Sequence, residues 1–195
     1  MRHGFEVQAE RRAGAARQVL GVLLNSPIDP SAYAAHLNVR ILDFAKLGLS
    51  PRNVSQLTIV DGDCWSAMTL HFDGTISIAL NPAHAITRQR NDLMRELAHV
   101  ELRHTPMRVE VSGTGLLLLG DYSDEQEQEA DWLASALLLP REGLVQLHTA
   151  GRSIAEIAHH YGVSEALCAW RLRVTGVDIK KGRAYANRVT DYPIG

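Results

Sequence analysis

Asn91–His104 reads NDLMRELAHVELRH, and no other stretch limits the possible folds so tightly. It holds Arg95-Glu96-Leu97-Ala98-His99. With histidine in place of Arg95 it would read H-E-x-x-H. Positions i and i+4 of a helix share one face. Two histidines at that spacing can hold one zinc ion, and the glutamate between them can take a proton from a metal-bound water. The chain keeps Glu96 and His99 and puts an arginine at the first ligand position. A guanidinium stays protonated and offers no lone pair to a metal. Every functional reading turns on that residue.

A second stretch fits the first. Glu127–Pro140 reads EQEADWLASALLLP. The two together resemble the ImmA/IrrE family of metallo-endopeptidases, whose members carry H-E-x-x-H and then E-x-[EQ]-A-[ND]-x-[FL]-A-x-x-L-L-[MLV]-P. The resemblance covers roughly Ile28 to Thr175. It implies a zincin-like α+β fold: a small, mostly antiparallel sheet, the H-E-x-x-H-type helix, and C-terminal helices like a helix-turn-helix. It implies zinc as cofactor, Glu96 as the catalytic base, and His99 and Glu127 as metal ligands. The implied reaction is peptide-bond hydrolysis of a regulatory protein such as a transcriptional repressor. It further implies that the strand before the motif helix runs along the substrate cleft, where an extended peptide can pair with its edge.

Composition sets the outer limits. A chain of 195 residues makes one domain, or one with a small appendage, and buries a core without disulfides. The expected division is residues 1–150 as the peptidase-like domain, 151–176 as a helix-turn-helix-like segment packed on it, and 177–195 as a tail. A net charge of -2 gives no footprint for non-specific nucleic-acid binding. The two cysteines, Cys64 and Cys168, read as reduced thiols. The charged first residues lack the apolar run of a signal peptide, and short apolar runs such as Leu116–Leu119 cannot span a bilayer. A soluble, cytoplasmic, bacterial-type protein is expected, with no membrane partner.

Periodicity and punctuation place the elements. Phe5–Leu24 reads as a helix stopped by Pro27, and Pro30–Leu37 as a short helix capped by Asp29. Val39–Phe44, Leu57–Val60, Ala67–Phe72 and Thr75–Leu80 read as strands, with Asp73-Gly74 a hairpin turn. The motif helix begins between His84 and Thr87 and ends near His104, before Pro106. Residues 105–124 read as an irregular connection. A second long helix ends at Pro140, with Ala130, Leu133, Ala134, Leu137 and Leu138 on its buried face. Arg141–His148 is helical, and Ser153 and Ser164 cap two further helices around Gly162.

Each candidate residue also has a plain structural reading. Glu96 can be a helix-surface glutamate, and His99 with Glu127 a hydrogen-bonded pair between packed helices. Asp131, four residues after Glu127, either orients His99 from behind or is an ordinary polar residue. Glu129 points elsewhere on the helix. His104 lies five residues from His99, about 140° around a helix, and reads as packing at the helix end. His71 is the first place to look for a replacement ligand; His84, His159 and His160 are poorer choices. Arg95 can pair with Glu127 or Glu96 in the metal's stead, which makes the site metal-free or weakly metal-binding. Three functions follow: a metallopeptidase with an unforeseen ligand, an inactive relative that binds a protein or peptide partner, or a DNA-binding regulator acting through residues 153–173. The last is disfavoured, because the helix after Ser164 is poor in groups that read bases or neutralise phosphates.

Overall fold

The computed structural model describes residues 3–111 and 117–177. Residues 112–116 and the tail from 178 onward lie outside the described residues. Helix α1 (Phe5–Val19) buries Phe5, Ala9, Ala13 and Ala16, one small face at helical spacing. It stops five residues before the expected Leu24. Gly21 adopts φ 66°, and Val22 N–H donates to the Arg17 carbonyl at 2.8 Å, closing the helix with a left-handed turn. The glycine, not Pro27, is the stop. Helix α2 (Pro30–His36) starts as expected: Asp29 accepts from Ser31 N–H, and Pro30 stands in the first turn.

Five strands form one sheet in the order β1-β3-β2-β5-β4. They are β1 (Val39–Leu42), β2 (Ala67–Phe72), β3 (Thr75–Leu80), β4 (Arg108–Val111) and β5 (Leu117–Gly120). Only β1 and β3 run parallel, with Val39 opposite Ile76 and Leu42 opposite Ala79. Strands β2 and β3 form a hairpin whose two loop residues, Asp73 and Gly74, both have positive φ. Two expectations fail here. Leu57–Val60 is helical: Ser50 caps α3 (Pro51–Ser55), and the chain continues through a π-helical turn, Gln56–Val60. The β-branched residues there suggested a strand, but the Ser-Pro start signal upstream governs the backbone. The connection 105–124 is not wholly irregular, since it supplies β4 and β5. The backbone of β5 pairs with β2 at Thr69–His71.

Strand β3 lies between β1 and β2, paired on both sides. The expectation that a peptide pairs with its edge therefore fails, because its backbone groups are already used.

Helix α4 (Ile86–Leu102) packs on β2 and β3 with one side and on α5 (Asp124–Leu138) with another; α5 also packs on α1. Leu93, Met94, Leu97 and Ala98 of α4 meet the buried face of α5, Ala130, Leu133, Ala134, Leu137 and Leu138, in one core. Helices α6 (Arg141–Thr149), α7 (Ile154–Tyr161) and α8 (Glu165–Val174) follow α5 among the described residues. Ile157, Ala158, Tyr161, Cys168 and Leu172 join that same core. Gly143 of α6 lies so close to the Tyr161 hydroxyl and the Leu24 carbonyl that a Cβ there would collide with both. Among the described residues no helix is long and apolar enough to cross a membrane. Neither Cys64 nor Cys168 forms a disulfide.

Two buried arginines hold the end of α5. Arg17 donates from Nη1 to the carbonyls of Leu23 (3.0 Å) and Ser26 (2.6 Å), and from Nη2 to that of Leu137 (2.8 Å). Arg171 donates from Nε to the Leu139 carbonyl at 3.1 Å and pairs with Glu10 through Nη2. The last carbonyls of a helix lack partners within it, and a buried orphan is costly. Arg17 is 1 % exposed and bonds only carbonyl oxygens in these contacts. Its replacement by methionine keeps the stem's bulk but strands all three acceptors. We expect Arg17→Met to lower unfolding free energy in urea by about 3 kcal/mol; a loss under about 1 kcal/mol would show that water reaches these carbonyls.

Candidate active site

The site lies where α4 faces the first turn of α5. The i, i+4 spacing brings Arg95 and His99 to the side of α4 that meets Glu127. The start of α5 is fixed by a capping box. Ser123 Oγ accepts from Gln126 N–H at 3.3 Å, and the Gln126 side chain accepts from Ser123 N–H at 3.1 Å. Gln126 Nε2 also donates to the Thr105 carbonyl just beyond α4, at 3.2 Å. These bonds set where Glu127 stands relative to α4.

Arg95 Nη1 lies 3.5 Å from Glu127 Oε2, and His99 Nε2 lies 3.7 Å from that same oxygen. Glu96, on the sheet side of α4, is buried and accepts from the Thr69 hydroxyl of β2 at 2.6 Å. The four residues Arg95, Glu96, His99 and Glu127 thus share one locale, as the sequence pattern anticipates. Asp131 stands exposed one turn further along α5, and its charge bears on Glu127. The partner of His99 Nδ1 is His104, whose own Nδ1 is 3.0 Å away. The contact behind His99, one of two readings left open for Asp131, is made by His104.

His104 reaches that place because α4 ends before it. Arg103 takes φ 54°, and the His104 N–H turns back to the His99 carbonyl at 3.0 Å. The 140° helical offset supposes a helix that continues, and it does not apply. His104 Nε2 in turn lies 3.5 Å from Glu129 Oε2, both side chains being buried. Tyr122 stacks on His99, with ring centroids 3.7 Å apart and planes 20° apart. Sequence reasoning missed Thr69, Tyr122 and the pairing of Glu129 with His104. Thr69 had one signal, the inward register of a half-buried strand; Tyr122 had none.

A protein-family model for the Peptidase M78 family, described as the IrrE N-terminal-like domain, matches residues 57–173, more than half of the chain. The chain belongs to this family. No curated protein and no solved structure matches it significantly. The M78 proteins are metallopeptidases, generally zinc-dependent, and the matched segment contains both the Arg95–His99 helix and the Glu127 helix.

The residues present do not fit the zinc site of this family. Among the described residues no group of three or more His, Cys, Asp or Glu side chains is placed to hold a metal. His99 and Glu127 supply two donors where a catalytic zinc takes three. The third position is a permanent cation in contact with one of them. The replacement ligands considered in the sequence do not complete the set among the described residues. His71 on β2 falls in no such group, and His104 spends Nδ1 on His99 while Nε2 faces Glu129. His84 is engaged elsewhere, 3.1 Å from the Gly62 carbonyl.

Burial dominates the site's protonation. It pushes His99 down to about 3, with the charges of His104 and Arg95 adding to the effect, so the imidazole is neutral near pH 7. It raises Glu96 above the ordinary carboxylate range, against the opposing Thr69 hydrogen bond and Arg95 charge. Burial also raises Glu127, against the attraction of Arg95. Burial, with Glu96 and Glu127 nearby, pushes Tyr122 up to about 12. For Glu96 the linkage sign is definite. A carboxyl raised on folding costs no stability below its unfolded value; the cost builds as pH rises from the unfolded toward the folded value and levels off above it. Glu96→Gln carries no such charge. Its unfolding midpoint in urea should therefore match that of the natural chain near pH 4 and exceed it increasingly toward neutral pH; a constant difference across that range would contradict the assigned shift.

Proposed function

We propose that this M78 protein is a catalytically silent member of its family, and that it uses the former peptidase cleft to bind a polypeptide segment. One observation carries the reading: the Arg95 guanidinium pairs with Glu127 at 3.5 Å, where Glu127 would otherwise share a metal with His99. The fixed positive charge satisfies the carboxylate and repels a second cation. On this reading no divalent ion stands beside His99 and Glu127 to lower the pKa of an attacking water. We therefore derive no hydrolytic step.

The cleft is still reachable. Arg95 and Glu127 are each about one third exposed, at 34 % and 36 %. A guanidinium carries five N–H donors, enough to engage Glu127 and a carbonyl or carboxylate of a bound segment together. The partner class we favour is a regulatory protein such as a repressor, following the family resemblance. Because β3 is paired on both sides, side-chain contacts at Arg95, rather than strand addition there, would carry recognition.

A DNA-binding role for residues 153–173 is weaker. Helix α8 turns Arg171 inward onto Glu10 and opens with Glu165, leaving little positive charge for phosphates.

Metal analysis of the natural chain beside Arg95→His tests the proposal. The natural chain should carry far less than one equivalent of zinc after exchange against a weak chelator and should cleave no peptide. The Arg95→His form, with its ligand set restored, should retain about one zinc per chain. A natural chain with about one tightly held zinc would return the protein to the working peptidases.

A further inference from the structure

Strand β1 stands at the margin of the sheet, and among the described residues it pairs with β3 alone. No turn, cap or side chain among those residues bonds the main chain of Val39–Leu42. Along a strand, successive residues direct their N–H and C=O alternately toward one neighbour and the other. Half of β1 therefore holds its N–H and C=O outward, where a further strand can bond them.

A groove of about 480 Å³ follows the same margin. Ile41 and Leu42 both line it, with Phe44, Leu49, Val54 and Leu80. Successive side chains of a strand point to opposite faces. A hollow that touches both Ile41 and Leu42 thus lies beside the strand and not over one face of the sheet. Ile59 and Val60, on the π-helical turn that continues α3, are 77 % and 66 % exposed. This margin is apart from the cleft. Thr69, which bonds Glu96, is on β2, and Tyr122, which stacks on His99, follows β5. Strand β3 separates β1 from both.

Charge narrows the choice of occupant. Arg40, within β1, is exposed and has no ion pair or hydrogen bond among the described residues. A fixed cation on an open edge opposes basic strands and favours an acidic side chain across from it. Arg40 and Leu42 share one face, and Ile41 points to the other. A matching strand sets a carboxylate beside Arg40 and apolar groups beside Ile41 and Leu42.

We propose that β1 is a docking edge for an extended polypeptide segment in which an acidic residue and an apolar one stand two places apart. The segment adds to the sheet outside β1 and seats its apolar side chains in the groove. This surface goes beyond the cleft and does not depend on Arg95.

The test uses the full chain and a dye-labelled probe, acetyl-Thr-Glu-Val-Ile-Val-Glu-Thr-amide, which reads alike in either direction. Fluorescence anisotropy should show saturable binding with a Kd below about 1 mM, and the outward amides of Val39–Leu42 should gain protection from hydrogen exchange. Arg40→Glu should weaken binding about tenfold. A probe with lysine for both glutamates asks the same of the natural chain, with a similar loss expected. Two further probes carry N-methyl groups on alternate residues, one for each set. An added strand bonds its neighbour through one set only, so one of them should bind and the other should not. No saturable binding of the parent probe, unchanged affinity on reversing either charge, or equal behaviour of the two methylated probes overturns the proposal. Dimers of the natural chain in sedimentation that Arg40→Glu alters would assign the edge to a second copy, which also overturns it. The two readings fail separately. Tightly bound zinc in the natural chain would refute the metal-free cleft and leave β1 untouched, whereas probe binding lost in Arg95→His but kept in Arg40→Glu would refute only the docking edge.

Discussion

The contact of α4 with α5 is the interaction on which the site depends. Leu97 and Ala98 on one helix, with Ala130, Leu133 and Ala134 on the other, are almost wholly withdrawn from water. Each fully buried leucine is worth about 2 kcal/mol in transfer free energy, whereas a partly exposed ion pair such as Arg95–Glu127 contributes at most about 1 kcal/mol. The apolar seam therefore sets the separation of the two helices, and the polar groups above it inherit their geometry. This explains how the fold tolerates an arginine at a metal-ligand position. The fold does not need a metal to bring Glu127 up to His99, because the alanine-lined packing one turn deeper already does so.

On the metal-free reading, a guanidinium in place of a divalent ion leaves the locale one positive charge short. Glu96, Glu127 and Asp131 stand around a single cation, Arg95. The site answers through protonation. Glu96 and Glu127 hold their protons to higher pH than ordinary carboxyls, and His99, neutral near pH 7, contributes no charge. Burial that raises the pKa of Glu96 makes its carboxylate a stronger base once formed, but leaves less of it ionised at a given pH.

Where the sequence was readable, the cause was local and strong. The Asp29, Ser153 and Ser164 caps, the Asp73-Gly74 turn, and the apolar stripe of α5 each act over a few residues, and each element formed there. The grouping of Arg95, Glu96, His99 and Glu127 was legible for the same reason: helical periodicity fixes one side of it and a paired motif names the other. What failed was longer in range. Leu57–Val60 has strand-like residues but lies downstream of a Ser-Pro helix start. Strand β3 reads like an edge only until β1, more than thirty residues earlier in the chain, is known to pair with it in parallel.

His104 shows where periodicity misleads at a site. Counting five residues from His99 assumes that the helix persists, and that assumption turns the two imidazoles away from each other. One left-handed residue, Arg103, ends the helix and folds His104 back onto the His99 turn. Arginine is not a residue that favours positive φ, since its Cβ crowds the backbone there, so the composition gave no stop signal such as glycine would. The reversal persists because His104 closes the turn through the His99 carbonyl and buries its ring between His99 and Glu129. The strained residue and the buried histidine pair are one feature, formed by tertiary packing at the end of α4 without a glycine stop in the local sequence.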